Sequence, residues 1–114
     1  MELTSERTTH LIRLHLDNDQ CIYDEVRRIV AEARLYARPS FFAVEQLGVD
    51  EALRHAVRGE VTYALKDMVE DLACGDIDAG ATTLLGLDLI GAALGTVDFD
   101  ELAADYIAIA DEEL

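Results

Sequence analysis

Positive charge is what this chain lacks most. Residues 59–114 hold 14 Asp and Glu against the single Lys66, whereas residues 1–58 hold 10 acids and 8 bases. Of the formal net charge of −15, the second part therefore carries −13 and the first −2. Ionised carboxylates cost solvation energy when buried, so most of those in the second part belong on the surface. Such a surface repels nucleic acid and anionic membrane, which argues against direct binding to either and points to proteins that bind them.

Cysteine is scarcer still. Cys21 and Cys74 are the only two, 53 positions apart and in no metal or redox spacing. They are expected to be reduced, half-buried thiols in a cytoplasmic protein rather than a disulfide. The opening Met1-Glu2-Leu3-Thr4-Ser5-Glu6 has neither the basic nor the apolar region of an export signal. His10, His15 and His55 have no helical i, i+4 partners and no neighbouring Cys or carboxylate at a ligand spacing. Asp76-Ile77-Asp78-Ala79-Gly80 begins like a calcium loop, but Ala81 stands where the loop needs Gly and Leu87 where it needs Glu. Nucleophile motifs, phosphate-cradling glycine loops and CxxC pairs are missing too. No enzyme activity, metal or cofactor is expected.

What is present is apolar pattern. Half of the 114 residues are hydrophobic (51%), which sets the chain apart from acidic disordered tails and is enough for one domain spanning 1–114. The expected fold is mainly α: a single-domain helical bundle of about four to five helices with one short N-terminal β-strand. The strand lies in segment 1–16, where Ile12, Leu14 and Leu16 alternate with Leu11, Arg13 and His15. Segment 17–58 is the near-neutral helical half and 59–114 the strongly acidic one. A first helix over about 18–37 starts at an Asp17 cap with Gln20 reaching back, and ends before Pro39. A short helix over Ser40 to Leu47 stops at Gly48. A long one then runs from Val49 to about Cys74 on the stripe Leu53, Val57, Val61, Ala64, Leu65, Met68 and Leu72, with a possible bend at Gly59. Gly75 to Gly80 reads as a loop. Ala81 to Leu94 is apolar nearly all round and, at about 14 residues, too short to span a bilayer, so a core helix is expected there. The last helix opens on an Asp98 cap, with Glu101 completing the box and Val97 and Leu102 as the hydrophobic staple. Its inward face carries Phe99, Leu102, Ala103, Tyr106, Ile107 and Ala110.

The carboxylates fall into rows on these helices. Glu60, Asp67 and Asp71 lie within roughly 40° of one another on the long helix, opposite the apolar stripe, with Glu70 close by. On the last helix Asp98, Glu101, Asp105 and Glu112 fall within roughly 60° and span about 21 Å of axis. With Asp76 and Asp78 of the intervening loop, these ten residues form the candidate partner-binding set. A solvated helix face or a halophilic source would also produce acids, but the second source would spread them evenly along the chain. Rows of carboxylates on rigid helices can compete with DNA for a groove of Lys and Arg, which is how an acidic DNA mimic works.

Three blocks carry a resemblance. Leu16-Asp17-Asn18-Asp19 with Tyr23, then Ala64 to Leu72 (ALKDMVEDL), and Ala92 to Ala103 (AALGTVDFDELA) are similar to blocks of a group of small proteins encoded by phages and plasmids. Where that group shows Trp in the middle and last blocks, this chain has Met68 and Phe99. The resemblance implies a mobile-element origin and no particular chemistry. Small acidic proteins of such elements resemble inhibitors of host defence, anti-CRISPR and anti-restriction proteins among them. The expected function is thus an inhibitor that binds a basic nucleic-acid-binding protein or complex of the host as a DNA mimic, without touching nucleic acid or membrane itself. One alternative is an antitoxin or repressor-like dimer with an N-terminal strand-helix-helix module, in which two copies pair through the strand. Another is an acidic scaffold protein.

Overall fold

A computed structural model describes residues 4–78 and 94–112, and for residues 73–78 the backbone alone. Among the described residues there are five helices: α1 (Ser5–Asn18), α2 (Gln20–Tyr36), α3 (Phe41–Leu47), α4 (Val49–Asp78) and α5 (Phe99–Glu112). The expected core helix over residues 81–94 lies outside the described residues except for its last residue, Leu94.

The N-terminal segment is a helix, not a strand. Thr4 caps it by accepting the backbone N–H of Arg7 at 3.2 Å. The alternation of Ile12, Leu14 and Leu16 coincided with a second pattern, Thr8, Ile12 and Leu16 four apart, which is a helical row. Thr8, Thr9 and Leu16 are buried and Ile12 packs beside them, while Leu11 and Leu14 face solvent. The two threonines disguise the amphipathic face because they count as polar in the sequence. Buried, each hydroxyl has partners. Thr8 Oγ1 donates to the carbonyls of Thr4 (3.1 Å) or Ser5 (3.2 Å), or shares a hydrogen bond with Thr96 Oγ1 (2.8 Å), and Thr9 Oγ1 accepts the backbone N–H of Asp98 at 2.8 Å. The homodimer expected to pair through this strand loses its basis, because the segment is helical.

α2 begins two residues later than its expected cap. Asp19, not Asp17, accepts the N–H of Ile22 (3.1 Å), and the Gln20 amide donates forward to Asp24 instead of reaching back. Ala37 closes the helix just before Pro39, as the ring requires. Ser40 then caps α3 by accepting the N–H of Ala43 at 3.1 Å. Gly48, at φ 83°, makes the turn into α4; a side chain is disfavoured in that left-handed region.

α4 runs 30 residues without a break at Gly59, about 45 Å of helix, and accounts for most of the molecule's 49 Å long axis. It continues through Gly75 to Asp78, where a loop was expected. Glycine in a helix costs about 1 kcal/mol against alanine, which the packing of so long a helix easily offsets. The buried positions Val57, Val61, Leu65 and Val69 follow an i+4 row, with Leu53 and Leu72 of the expected stripe at its margins, 39% and 41% exposed. Leu65 and Val61 on α4, Val26 on α2 and Leu102 on α5 are the most completely buried large side chains. Around them, α2 and α5 pack on α4, α1 packs on α2 and α5, and α3 packs on α4.

Candidate functional site

α5 starts as its sequence announces. Asp98 Oδ1 accepts the N–H of Glu101 at 3.0 Å, Leu102 and Phe99 are buried, and Val97 packs against the same core. The box itself is not closed, because the Asp98 N–H is taken by Thr9 and not by the Glu101 side chain. Ala103 and Tyr106 continue the buried face, with Ile107 and Ala110 partly covered. Tyr106 donates its hydroxyl to Asp17 at 2.8 Å and meets Tyr23 edge-on, ring centroids 6.4 Å apart. Burial, and then the bond to Asp17, push the Tyr106 phenol above its ordinary value.

The acids of α5 are held by arginines from the near-neutral half. Asp105 pairs with Arg13 of α1, and Asp111 with Arg34 of α2, whose guanidinium also donates to the Ile107 carbonyl at 3.3 Å. Asp100 receives Arg58 of α4 through two bonds, Nε to Oδ1 at 2.8 Å and Nη2 to Oδ2 at 2.5 Å. Arg13 and Arg34 are about one-third exposed (32% and 30%) and their partners Asp105 and Asp111 are 46% and 63% exposed, so these pairs bridge neighbouring helices at the surface. Asp105 is therefore a structural ion pair and not a free contact group, and Asp98 spends one oxygen on its cap. Of the expected row, Glu101 and Glu112 are left exposed with no ion pair among the described residues.

The acids of α4 are different. Glu60, Asp67 and Asp71 are exposed, Glu70 is half-buried, and none forms an ion pair among the described residues. Glu60 lines a shallow groove between α2 and α4 with Arg28, Glu32 and Tyr36, but Arg28 is occupied by Glu25 and Glu32. Lys66, the only base of the acidic half, is exposed and also unpaired among the described residues. Asp76 and Asp78 sit on the last turn of α4, and their side chains lie outside the described residues. The structure thus divides the ten candidates: a row on the outer face of α4 is open, while the row on α5 is partly spent on capping and pairing.

Cys21 is exposed, not half-buried as expected, on the first turn of α2. Among the described residues no cluster of His, Cys, Asp and Glu is arranged to hold a metal ion, and no helix is long and apolar enough to cross a membrane. What the sequence did not reveal is the arginine clamp. Its members are 92, 77 and 42 positions apart, beyond any local pattern. No family model, curated protein or solved structure matches the chain.

Proposed function

We propose that this protein is an acidic binding protein that docks the outer face of α4 onto the basic, nucleic-acid-binding surface of a partner protein, in competition with nucleic acid. The observation that carries this reading is the row Glu60, Asp67, Glu70 and Asp71 on one helix, without an ion pair among the described residues, extended by the exposed Glu101 and Glu112 of α5. Glu60 to Asp71 spans about 16 Å of axis, a length over which duplex DNA presents roughly ten phosphate charges. Carboxylates held on a helix lose little freedom on binding, and in a groove of Lys and Arg they gain charge-assisted hydrogen bonds and steered association. The arginine clamp supports the same division of labour: charge needed to hold α5 is neutralised inside the protein, and charge on α4 is left available. The narrower expectation, an inhibitor of a host defence complex of the anti-CRISPR or anti-restriction kind, rests on the resemblance to mobile-element proteins alone. The repressor-like alternative loses its footing, because the strand it required is helix α1.

Affinity capture from a host lysate at low and high salt tests the proposal. The expected result is a nucleic-acid-binding protein that elutes as salt rises and is displaced by added DNA. Changing Glu60, Asp67 and Asp71 to Lys should abolish capture, while the same change at Glu2, Glu6 and Glu32 should not. Equal weakening by both triple variants would reduce the effect to net charge and overturn the reading. So would direct, salt-sensitive binding of the purified protein to DNA.

A further inference from the structure

The groove between α2 and α4 is built from rows of residues four apart, which lie one above the other on a helix. On α2, Ile29, Ala33 and Ala37 are buried and floor the groove, while the neighbouring row Arg28, Glu32 and Tyr36 forms one lip. Glu60 and Ala64 of α4 complete the lining. Alanine stands at 33, 37 and 64, and these small side chains leave a trough where larger ones would fill it. The space is about 350 Å³, at the lower end of the roughly 300–1,000 Å³ of ligand pockets, so it suits a single side chain and not a cofactor.

The lining dictates what that side chain must be. Its charged groups are one base, Arg28, against Glu32 and Glu60, and Arg28 is already shared by Glu32 and Glu25. Glu60 has no ion pair among the described residues. Tyr36, the last residue of α2, is 74% exposed and has no hydrogen bond or ring contact among the described residues. Arg28 and Tyr36 stand eight residues apart, about 12 Å along the helix, so the ring lies away from the guanidinium that would repel a second cation. An apolar floor, an open phenol ring and a spare carboxylate match the parts of an arginine side chain. Its methylene stem packs on apolar surface, its planar cation stacks on an aromatic face, and its forked N–H donors meet a carboxylate in pairs. Lysine matches the floor and the charge but lacks the planar fork. An anion would meet Glu32 and Glu60, and a wholly apolar group would strip water from them without offering a partner.

We propose that this groove receives the side chain of one arginine of the partner protein, its guanidinium between the Tyr36 ring and the Glu60 carboxylate and its methylenes on Ala33, Ala37 and Ala64. The inference rests on the reading that α4 docks on a basic surface, since Glu60 belongs to both. Oligo-arginine and oligo-lysine peptides of equal length, titrated calorimetrically into the full chain at fixed salt, separate the two. The wild type should bind oligo-arginine about two- to fivefold more tightly, the worth of one guanidinium stacked on an exposed ring. Tyr36→Ala should abolish that preference and Tyr36→Phe should keep it. Ala64→Leu, which fills the trough without altering charge, should abolish it as well, with an unchanged helical circular-dichroism spectrum. Phe41→Ala removes an exposed ring outside the groove and should leave the preference intact. Asp67→Lys with Asp71→Lys, also outside the groove, should weaken both peptides alike. Equal affinity of the wild type for the two peptides, or a preference that survives Tyr36→Ala or Ala64→Leu, overturns the groove assignment while the docking face stands. Unchanged affinity for both peptides after the Asp67 and Asp71 changes overturns the docking face, and with it the reading on which the groove depends.

Discussion

α5 and the middle of α4 bear the same residue type at similar helical spacing, yet the folded chain puts them to different uses. On α5, Asp100, Asp105 and Asp111 each meet an arginine from another helix, and Asp98 caps the first turn. On α4, Glu60, Asp67, Glu70 and Asp71 meet no cation among the described residues. The difference lies in what packs alongside. α5 lies against α1, α2 and α4, the three helices that supply Arg13, Arg34 and Arg58. Among the described residues, no helix brings an arginine to Glu60, Asp67, Glu70 or Asp71 of α4 in this way. Acidity in a sequence is thus one property, while acidity on a surface is what remains after the fold has used its share.

The comparison also ranks the forces that hold α5. Partly exposed ion pairs are worth up to about 1 kcal/mol each, whereas burial of a large aliphatic side chain is worth several times that. Leu102→Ala removes a fully buried side chain and should cost about 3 kcal/mol in urea unfolding, with Leu65→Ala on α4 costing a similar amount. A loss below about 1 kcal/mol at Leu102 would mean that the arginine clamp, and not the core, holds α5 in place.

Thr9→Val tests the link between α1 and the start of α5. The shape is kept but the Asp98 N–H loses its acceptor, so the expected cost is about 2 kcal/mol, with Thr9→Ser restoring most of it. The same change at the half-buried Thr62, whose hydroxyl bonds back to the Arg58 carbonyl of its own helix, should cost under about 1 kcal/mol.

Tyr106→Phe should cost about 1 kcal/mol by taking the donor from Asp17. It should also remove a pH dependence. The folded phenol keeps its proton to higher pH than the unfolded one, whose pKa is about 10. The folded state therefore binds more protons above that pH, and stability falls as pH rises through and beyond about 10. Unfolding of the wild type followed from neutral to alkaline pH should show this decline, and the phenylalanine variant a shallower one. The smallest expected effect is a gain: Gly59→Ala meets no atom within 4 Å and should stabilise α4 by about 0.5–1 kcal/mol.

Much of this fold was legible from local chemistry. Ser40, Gly48, Pro39 and Asp98 mark helix ends through capping, positive φ and the missing proline N–H, and those boundaries hold to within a residue or two. α1 was not legible, because its buried side includes Thr8 and Thr9, whose hydroxyls are satisfied by residues 4, 5, 96 and 98. The continuation of α4 through Gly75 was hidden by two weak helix formers, Gly75 and Asp76, in a helix stabilised elsewhere. For the candidate site, the rows of carboxylates could be placed on helix faces from spacing alone. Which row stays open could not, since it depends on arginines brought in from three other helices.

The central claim is that Asp100, Asp105 and Asp111 of α5 are engaged in ion pairs that add to the stability of the fold, whereas Glu60, Asp67 and Asp71 of α4 add nothing to it. Equilibrium unfolding at low and high salt of two triple variants tests it without any partner. One changes Asp100, Asp105 and Asp111 to Lys, and the other changes Glu60, Asp67 and Asp71 to Lys, so both alter net charge equally. The first set should lose about 2–4 kcal/mol at low salt, as three attractions become repulsions, with the deficit shrinking as salt screens them. The second should be unchanged or slightly more stable, since it relieves crowding of like charge. Equal losses in the two variants would contradict the division between the helices.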